Sequence, residues 1–298
     1  MIPTGLPRPV HADLSRVSES LGMLSPRWNV QILTTVSAQA LRYTEIKARM
    51  PWLQDGQLHP KLRWLTAAGL LDRTEHGTRH VTYGLSARST DLLPVLAVIA
   101  AWGGTHLEKP TPAPPGTADA RAGAVVQNIE DTLVLIGARH ATPILWSLQA
   151  RGTSSAKAVA ADAMPGHGLS AVYPRLRQLV DDRLVDTDTD TDADEADYRL
   201  SPPGQALAPV YRALSAWATG RPLTDAATHP VWGHPPAPSQ VAGGMWASAA
   251  SRLPAPAAPA PALQTTPSAQ WRAGELFSHR HPVPARASAG TLTGGHRR

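Results

Sequence analysis

A chain of 298 residues, 42% hydrophobic and only 17% charged, can bury one or two ordinary cores and is too long for a single small domain. Its net charge of +5 fits a polyanionic partner without requiring one. The complete lack of cysteine excludes thiolate catalysis, disulfides, thiol redox sensing and every zinc site built on Cys. The longest apolar run, Leu92 to Trp102, holds 11 residues and includes Pro94, short of the ~20 that cross a bilayer. Residues 1–9 carry no apolar stretch behind positive charge, so no membrane partner and a cytoplasmic location are expected.

In chain order, Leu21 to Val36 reads as a first helix, ending in Val30, Ile32 and Leu33. Tyr43, Ile46 and Met50 then form one helical stripe, stopped by Pro51. After a turn, Leu58, Leu62 and Leu65 share one face of a third helix, while Gln57, His59, Pro60 and Arg63 face the other way. An interior proline costs about 3 kcal/mol unless its missing N–H is one of the first-turn orphans. The regular helix is therefore expected to begin near Pro60. Two extended runs follow, Leu70 to Glu75 and Arg79 to Leu85, joined through His76-Gly77. Leu92, Leu93, Leu96, Ile99 and Ala100, ending in Trp102, close the unit with a helix. Three helices, a two-stranded hairpin and a closing helix make the winged helix-turn-helix arrangement, whose third helix can enter a major groove.

Four prolines between Pro110 and Pro115 mark a semi-rigid linker over residues 110–127. Beyond it the unit recurs. Leu58 to Leu71 aligns without gaps on Val172 to Val185 at an offset of 114, pairing Pro60 with Pro174 and Leu62-Arg63 with Leu176-Arg177. Upstream, Arg27 and Ile32-Leu33 fall on Arg139 and Ile144-Leu145 at an offset of 112. Downstream, Tyr83 to Ser86 and Trp102 fall on Tyr198 to Ser201 and Trp217 at 115. Such small slippage is what loop insertions produce, so the chain holds one module twice, over residues 13–109 and 128–223. From residue 224 onward 11 of the last 75 residues are proline, and the segment 224–298 is expected to be disordered, with Trp232, Trp246, Trp271 and Phe277 as stray aromatics rather than short docking motifs.

Arg27-Trp28 before Ile32-Leu33, Arg42-Tyr43 before Glu45-Ile46, Leu58 through Gly69-Leu70, Val81-x-Tyr83-x-Leu85-Ser86 and Leu93-Pro94-Val95-Leu96 to Trp102-Gly103 together resemble the HxlR family of bacterial transcription regulators, within the wider MarR-like group. The resemblance covers about Leu21 to His106. Ile129 to Trp217 resembles a diverged member, with His140 where the family has Trp. It implies homodimeric regulators that dock paired third helices into successive major grooves of double-stranded DNA.

On that reading Gln57, His59, Lys61 and Arg63 are the candidates to meet base edges or phosphates, with Arg73 and Arg79 on the hairpin reaching the backbone or minor groove. Solvated surface charge is the plainer account of two or three of them. The corresponding candidates in the second module are Ser170, Tyr173, Arg175 and Arg177. Its hairpin differs: Asp186 to Asp197 carries seven acids and no cation. Residues 13–109 hold eleven Lys/Arg against eight Asp/Glu, a balance of +3, and residues 128–223 nine against twelve, a balance of −3. The second module is thus a poor non-specific DNA binder by charge. Asp186, Asp188 and Asp190 imitate the start of a calcium loop, but Thr191 replaces the required glycine and Asp197 the closing Glu. No nucleophile elbow, phosphate-cradling loop or metal helix is present, so neither an enzyme nor a cofactor is expected. The fold class expected is mostly α with small β hairpins (α+β): two tandem winged helix-turn-helix domains and a disordered tail. The function expected is a sequence-specific DNA-binding transcription regulator. Its partner is double-stranded DNA, and pairing by an intramolecular pseudo-dimer or by a homodimer stays open, as does a small-molecule effector. An interaction or ligand-sensing scaffold that has lost DNA binding is the alternative.

Overall fold

Each half of the chain builds the same series of elements, except that the closing helix is single in the first half and split in two in the second. The computed structural model describes residues 4–77, 80–107, 118–187, 196–224 and 229–233. The first half comprises α1 (Arg8–Leu24), α2 (Asn29–Thr35), β1 (Leu41–Arg42), α3 (Tyr43–Arg49), α4 (Asp55–Ala67), β2 (Leu71–Glu75), β3 (Val81–Leu85) and α5 (Ala87–His106). The second comprises α6 (Ala118–Gly137), α7 (Ala141–Arg151), β4 (Ser154–Ser155), α8 (Ala156–Ala163), α9 (Leu169–Asp181), β5 (Val185–Thr187), β6 (Asp197–Leu200), α10 (Pro202–Gln205) and α11 (Ala208–Ala218). Both sheets are antiparallel with the same strand order, β1-β3-β2 and β4-β6-β5. Tyr83 pairs with Leu41, and its repeat partner Tyr198 with Ser154.

The helix expected over Leu21 to Val36 is two helices. Ser25 is still helical (φ −67°, ψ −24°), and the break comes at Trp28, which takes a left-handed φ of 74° before α2 starts. His140, its repeat partner, takes φ 67° before α7. Helix α4 is also longer than expected. It starts at Asp55, five residues ahead of Pro60, and α9 starts five ahead of Pro174. The carbonyls that lose an N–H partner belong to Gly56 and Ser170. Both residues are exposed, so water takes the bond and the cost of an interior proline is reduced. Both helices end alike, with Leu70 N–H on the Leu65 carbonyl and Leu184 N–H on the Leu179 carbonyl, each at 2.9 Å. The left-handed residue this closure demands is Gly69 in one copy (φ 68°) and Arg183 in the other (φ 59°).

Helix caps repeat as well. Ser86 Oγ accepts from Ser89 N–H and donates to the Gly69 carbonyl at 2.7 Å. Ser201 Oγ accepts from Gly204 N–H and donates to the Arg183 carbonyl at 2.6 Å. The entry helices repeat too. Val17, Leu21 and Leu24 of α1 are buried, as are Ile129, Leu133 and Ile136 of α6, all at the offset of 112. Residues 118–127, expected in the linker, belong to α6; residues 108–117 lie outside the described residues.

The halves meet through α1, α5, α6 and α11. Trp102 Nε1 donates to the Pro203 carbonyl at 3.2 Å, and Trp217 Nε1 to the Arg88 carbonyl at 2.9 Å. At the offset of 115, Trp102 corresponds to Trp217 and Arg88 to Pro203. The two contacts are therefore one contact made twice with the roles exchanged, the mark of a two-fold relation. Gly103 allows α5 to approach α6: a Cβ there would lie 2.6 Å from Thr132 Oγ1 and 2.7 Å from the Asn128 carbonyl.

Residues 229–233 correct the expectation of a wholly disordered tail. Trp232 is 1% exposed, stacked on Tyr211 at 4.6 Å and edge-on to Trp146 at 5.7 Å. The two rings that hold it were not linked to it by any periodicity. His229 Nδ1 accepts from the backbone N–H groups of Val231 and Trp232 at 3.1 and 2.9 Å. Its proton therefore sits on Nε2, which donates to Asp13 Oδ2 at 2.7 Å. Ser215 Oγ donates to Asp13 Oδ1 at 2.7 Å. One carboxylate of α1 thus joins α11 and the C-terminal segment. Among the described residues no helix is long and apolar enough to cross a membrane.

Candidate nucleic-acid interface

Helix α4 buries Leu58, Leu62 and Leu65 and turns Gln57, His59, Pro60, Arg63 and Trp64 to solvent. His59 is held by its neighbour on α3: its ring stacks on Tyr43 at 4.1 Å with planes 12° apart. Tyr43 donates its hydroxyl to Asp55 Oδ1 at 2.7 Å. Partial burial and that bond push the phenol up to about 12, while the phenol's donation holds the Asp55 carboxyl below its ordinary value. The imidazole is thus fixed in place on the exposed face rather than left to wave from it.

Between α4 and the hairpin runs a cleft of about 870 Å³, lined by His59, Pro60, Arg63, Trp64, Arg73 and Tyr83 among others. Arg63 and Arg73 line its two sides, one from the helix and one from the strand. Arg73 is ion-paired with Glu75, which spends part of its charge locally. Arg79 lies outside the described residues. Lys61 leaves the shared face: it is half-buried, and its Nζ donates to Asn29 Oδ1 at 3.2 Å. Burial lowers the pKa of its ammonium, and Glu130 of α6 works in the other direction. Tethered in this way, Lys61 braces α4 against the start of α2.

The second module sets its counterparts in the same places. Arg177, partner of Arg63, is exposed, and Arg175, partner of Lys61, is half-buried. Arg175 donates to Gln178 Oε1 at 3.3 Å. Ser170 is exposed near the start of α9, and Tyr173 is half-buried in the place His59 holds in α4. Tyr198 lies near enough to Arg177 to feel its charge, and Tyr83 shares the cleft with Arg63. In the second wing Asp186 pairs with Arg199 at 3.8 Å. Residues 188–195, with most of the acids of the calcium-like pattern, lie outside the described residues.

Sequence reasoning missed two members of the first face. Trp64 is 42% exposed and lines the cleft; its signal was a tryptophan off the apolar stripe of its own helix. Tyr43 was read as stripe, yet its ring serves His59. Trp52, at the turn between α3 and α4, is a further exposed aromatic, 52% exposed.

The sequence pattern that defines HxlR-like helix-turn-helix proteins matches residues 23–111 and again 135–222, together more than half of the chain. The chain belongs to the HxlR-like helix-turn-helix family. It carries the family's module twice. Relatives include the uncharacterized HTH-type transcriptional regulator YdzF of Bacillus subtilis (strain 168), 31% identical over 87 residues that make up 28% of this chain and 80% of the relative. An uncharacterized HTH-type transcriptional regulator of Methanothermobacter thermautotrophicus is 28% identical over 100 residues, 32% of this chain and 76% of its own. YtcD of Bacillus subtilis, with the same description, is 28% identical over 95 residues, 31% and 75% of the two chains. Each relative spans about one module, so this HxlR-like chain is equivalent in length to two of them and a tail. No solved structure matches it significantly.

Proposed function

We propose that this HxlR-like chain is a sequence-specific, double-stranded DNA-binding transcription regulator in which two fused modules act as an intrachain pseudo-dimer. The observation that carries the reading is the pair of reciprocal indole bonds, Trp102 to Pro203 and Trp217 to Arg88. One contact made twice with the roles exchanged supports a two-fold pairing of the halves, and α4 and α9 each present one exposed arginine at the same position. A two-fold protein reads two half-sites, and here one half carries the more cationic face.

The scaffold alternative draws on the seven acids of the second wing. It predicts no DNA retardation at any salt concentration. The test is anisotropy titration of the full chain against fragments from its own genomic neighbourhood, with the stoichiometry fixed by light scattering. We expect one chain per site, affinity that falls steeply with salt, and roughly a 10- to 100-fold loss in Arg63→Ala plus Arg73→Ala, from about 1–3 kcal/mol for a base-reading Arg63 and a smaller backbone contribution from Arg73. Two chains on a symmetric site would support ordinary homodimerisation, and no binding would support the scaffold.

A further inference from the structure

The second module gathers cations where the first gathers compensation. In the first, Trp28 N–H donates to Glu130 Oε1 at 3.2 Å, and Lys61 meets Asn29. At the offset of 112, the places of Trp28, Asn29 and Glu130 are taken by His140, Ala141 and Ser18. The carboxylate and the amide are both gone. What remains is Arg139 from the turn before α7, His140 at the start of α7, His167 from the turn before α9, and Arg175 on α9. Arg139 Nε donates to His140 Nε2 at 3.1 Å, and the rings of His140 and His167 meet edge to face at 5.4 Å.

Because Nε2 of His140 accepts, its proton sits on Nδ1, and that N–H has no partner although the residue is only 6% exposed. A buried donor without an acceptor costs about 1–3 kcal/mol. Every charged group that acts on this imidazole is cationic or a second imidazole: after burial itself, Arg139, His167 and Arg175 lower its pKa. Arg139 and His167 are exposed and Arg175 is half-buried, so the outer members can turn onto a ligand.

We propose that Arg139, His140, His167 and Arg175 form a phosphate site, and that its occupant is a backbone phosphate of the DNA duplex. This assignment of the ligand rests on the DNA-binding reading above; the anion chemistry of the site does not. A phosphate oxygen supplies the negative charge that three neighbours lack and, once the imidazole turns outward, the acceptor that the enclosed Nδ1–H lacks. Capture draws Arg139 off the imidazole and onto the anion, as a charge-assisted bond. The acid-rich second wing would then be balanced by a backbone contact made on the helix-turn-helix side of the same module. An anion beside His140 also favours its protonated form, so binding takes up a proton and strengthens as pH falls.

The test uses the full chain and the variant Arg139→Gln plus His167→Gln, both exposed positions, with unchanged melting as the check on folding. Two probes are used: a random-sequence duplex at several salt concentrations, and inorganic phosphate at constant ionic strength followed by imidazole nitrogen NMR. We expect the variant to lose about tenfold in duplex affinity, with a salt slope smaller by about one, and to lose the phosphate response of His140. A phosphate response with unchanged duplex affinity would keep the site and overturn its assignment to DNA. A phosphate response from a wild-type chain that binds no duplex would remove the proposed function and leave the site standing. Duplex affinity and imidazole signals that are both indifferent to the variant and to phosphate would overturn the proposal.

Discussion

The two modules share a backbone down to its unusual residues and share little of the surface laid over it. Trp28 and His140 both sit at positive φ, as do Gly69 and Arg183, although one member of each pair has no chemistry in common with the other. Holding a non-glycine residue in left-handed backbone costs roughly 1 kcal/mol, and both halves bear it at Trp28 and His140. The helix-turn-helix is thus fixed by packing and capping, through Ser86 and Ser201 and the buried leucines of α4 and α9. The outward residues were free to change. The first half kept a His-Tyr stack and an arginine-lined cleft; the second acquired an acidic wing, a cationic knot and an aromatic slot filled by its own tail.

The largest expected break in that comparison lies in the slot. Trp232→Ala should destabilise the chain by about 3–5 kcal/mol, the usual cost of deleting a buried tryptophan, as read from urea unfolding. The equivalent places in the first module are Thr34 and Leu96, opposite Trp146 and Tyr211, so no aromatic slot exists there. Should the halves be energetically separate, only one of two transitions will move. Packing of α1 on α11 and the Asp13 bonds predict instead a single transition that moves as a whole. Next in size is the asymmetry of reading. Arg63→Ala is expected to cost about 1–3 kcal/mol in specific binding and to relax one half-site. Arg177→Ala, beside the acidic wing, should cost less and alter the other half-site. Equal effects in footprints of the two variants would mean that the charge difference between the modules does not reach the DNA.

Much of this was legible in the chain. Period and repeat gave the order of elements because Leu58, Leu62 and Leu65, and again Val172, Leu176 and Leu179, must be buried together. The outward set Gln57, His59 and Arg63 followed from the same geometry. Lys61 did not, since a long side chain can turn back along its helix, and only the position of Asn29 shows that it does. The start of α4 was misplaced because the rule against interior proline is a rule about an unsatisfied carbonyl, and Gly56 faces water. Trp232 was lost for a different reason. Its partners Trp146 and Tyr211 are distant in sequence, and composition averages a proline-rich tail in which five consecutive residues fold back onto the core.

Smaller effects probe the two-fold relation itself. Trp102→Phe and Trp217→Phe each remove one indole donor while keeping most of the ring. Each should cost about 1 kcal/mol, the worth of a hydrogen bond, plus whatever follows from leaving the carbonyl unpaired. The relation demands similar values for the two, although one carbonyl belongs to Arg88 and the other to Pro203. A cost confined to one of them would show that the contact is symmetric in shape and not in energy. Arg88, which also lies over the Trp217 ring at 4.8 Å, gives the second bond a reason to be somewhat stronger.

The smallest effect concerns the carboxylate that binds the halves to the tail. Burial alone would raise the Asp13 pKa, but the bonds from His229 and Ser215 outweigh it and hold the group below its ordinary value. A carboxyl depressed in the folded state binds fewer protons there than in the unfolded chain. Its contribution is therefore complete above the unfolded value of about 3.9 and is lost as pH falls through the lower folded one. Thermal melting of the wild type should decline over that acidic window. Asp13→Asn replaces the acceptor Oδ1 and Oδ2 pair by one acceptor and one amide donor, which opposes either Ser215 or the Nε2–H of His229. The variant should melt lower at neutral pH and lose that part of the acid dependence. An unchanged acid limb would assign the dependence to carboxylates elsewhere and reduce the Asp13 bonds to geometry without coupling.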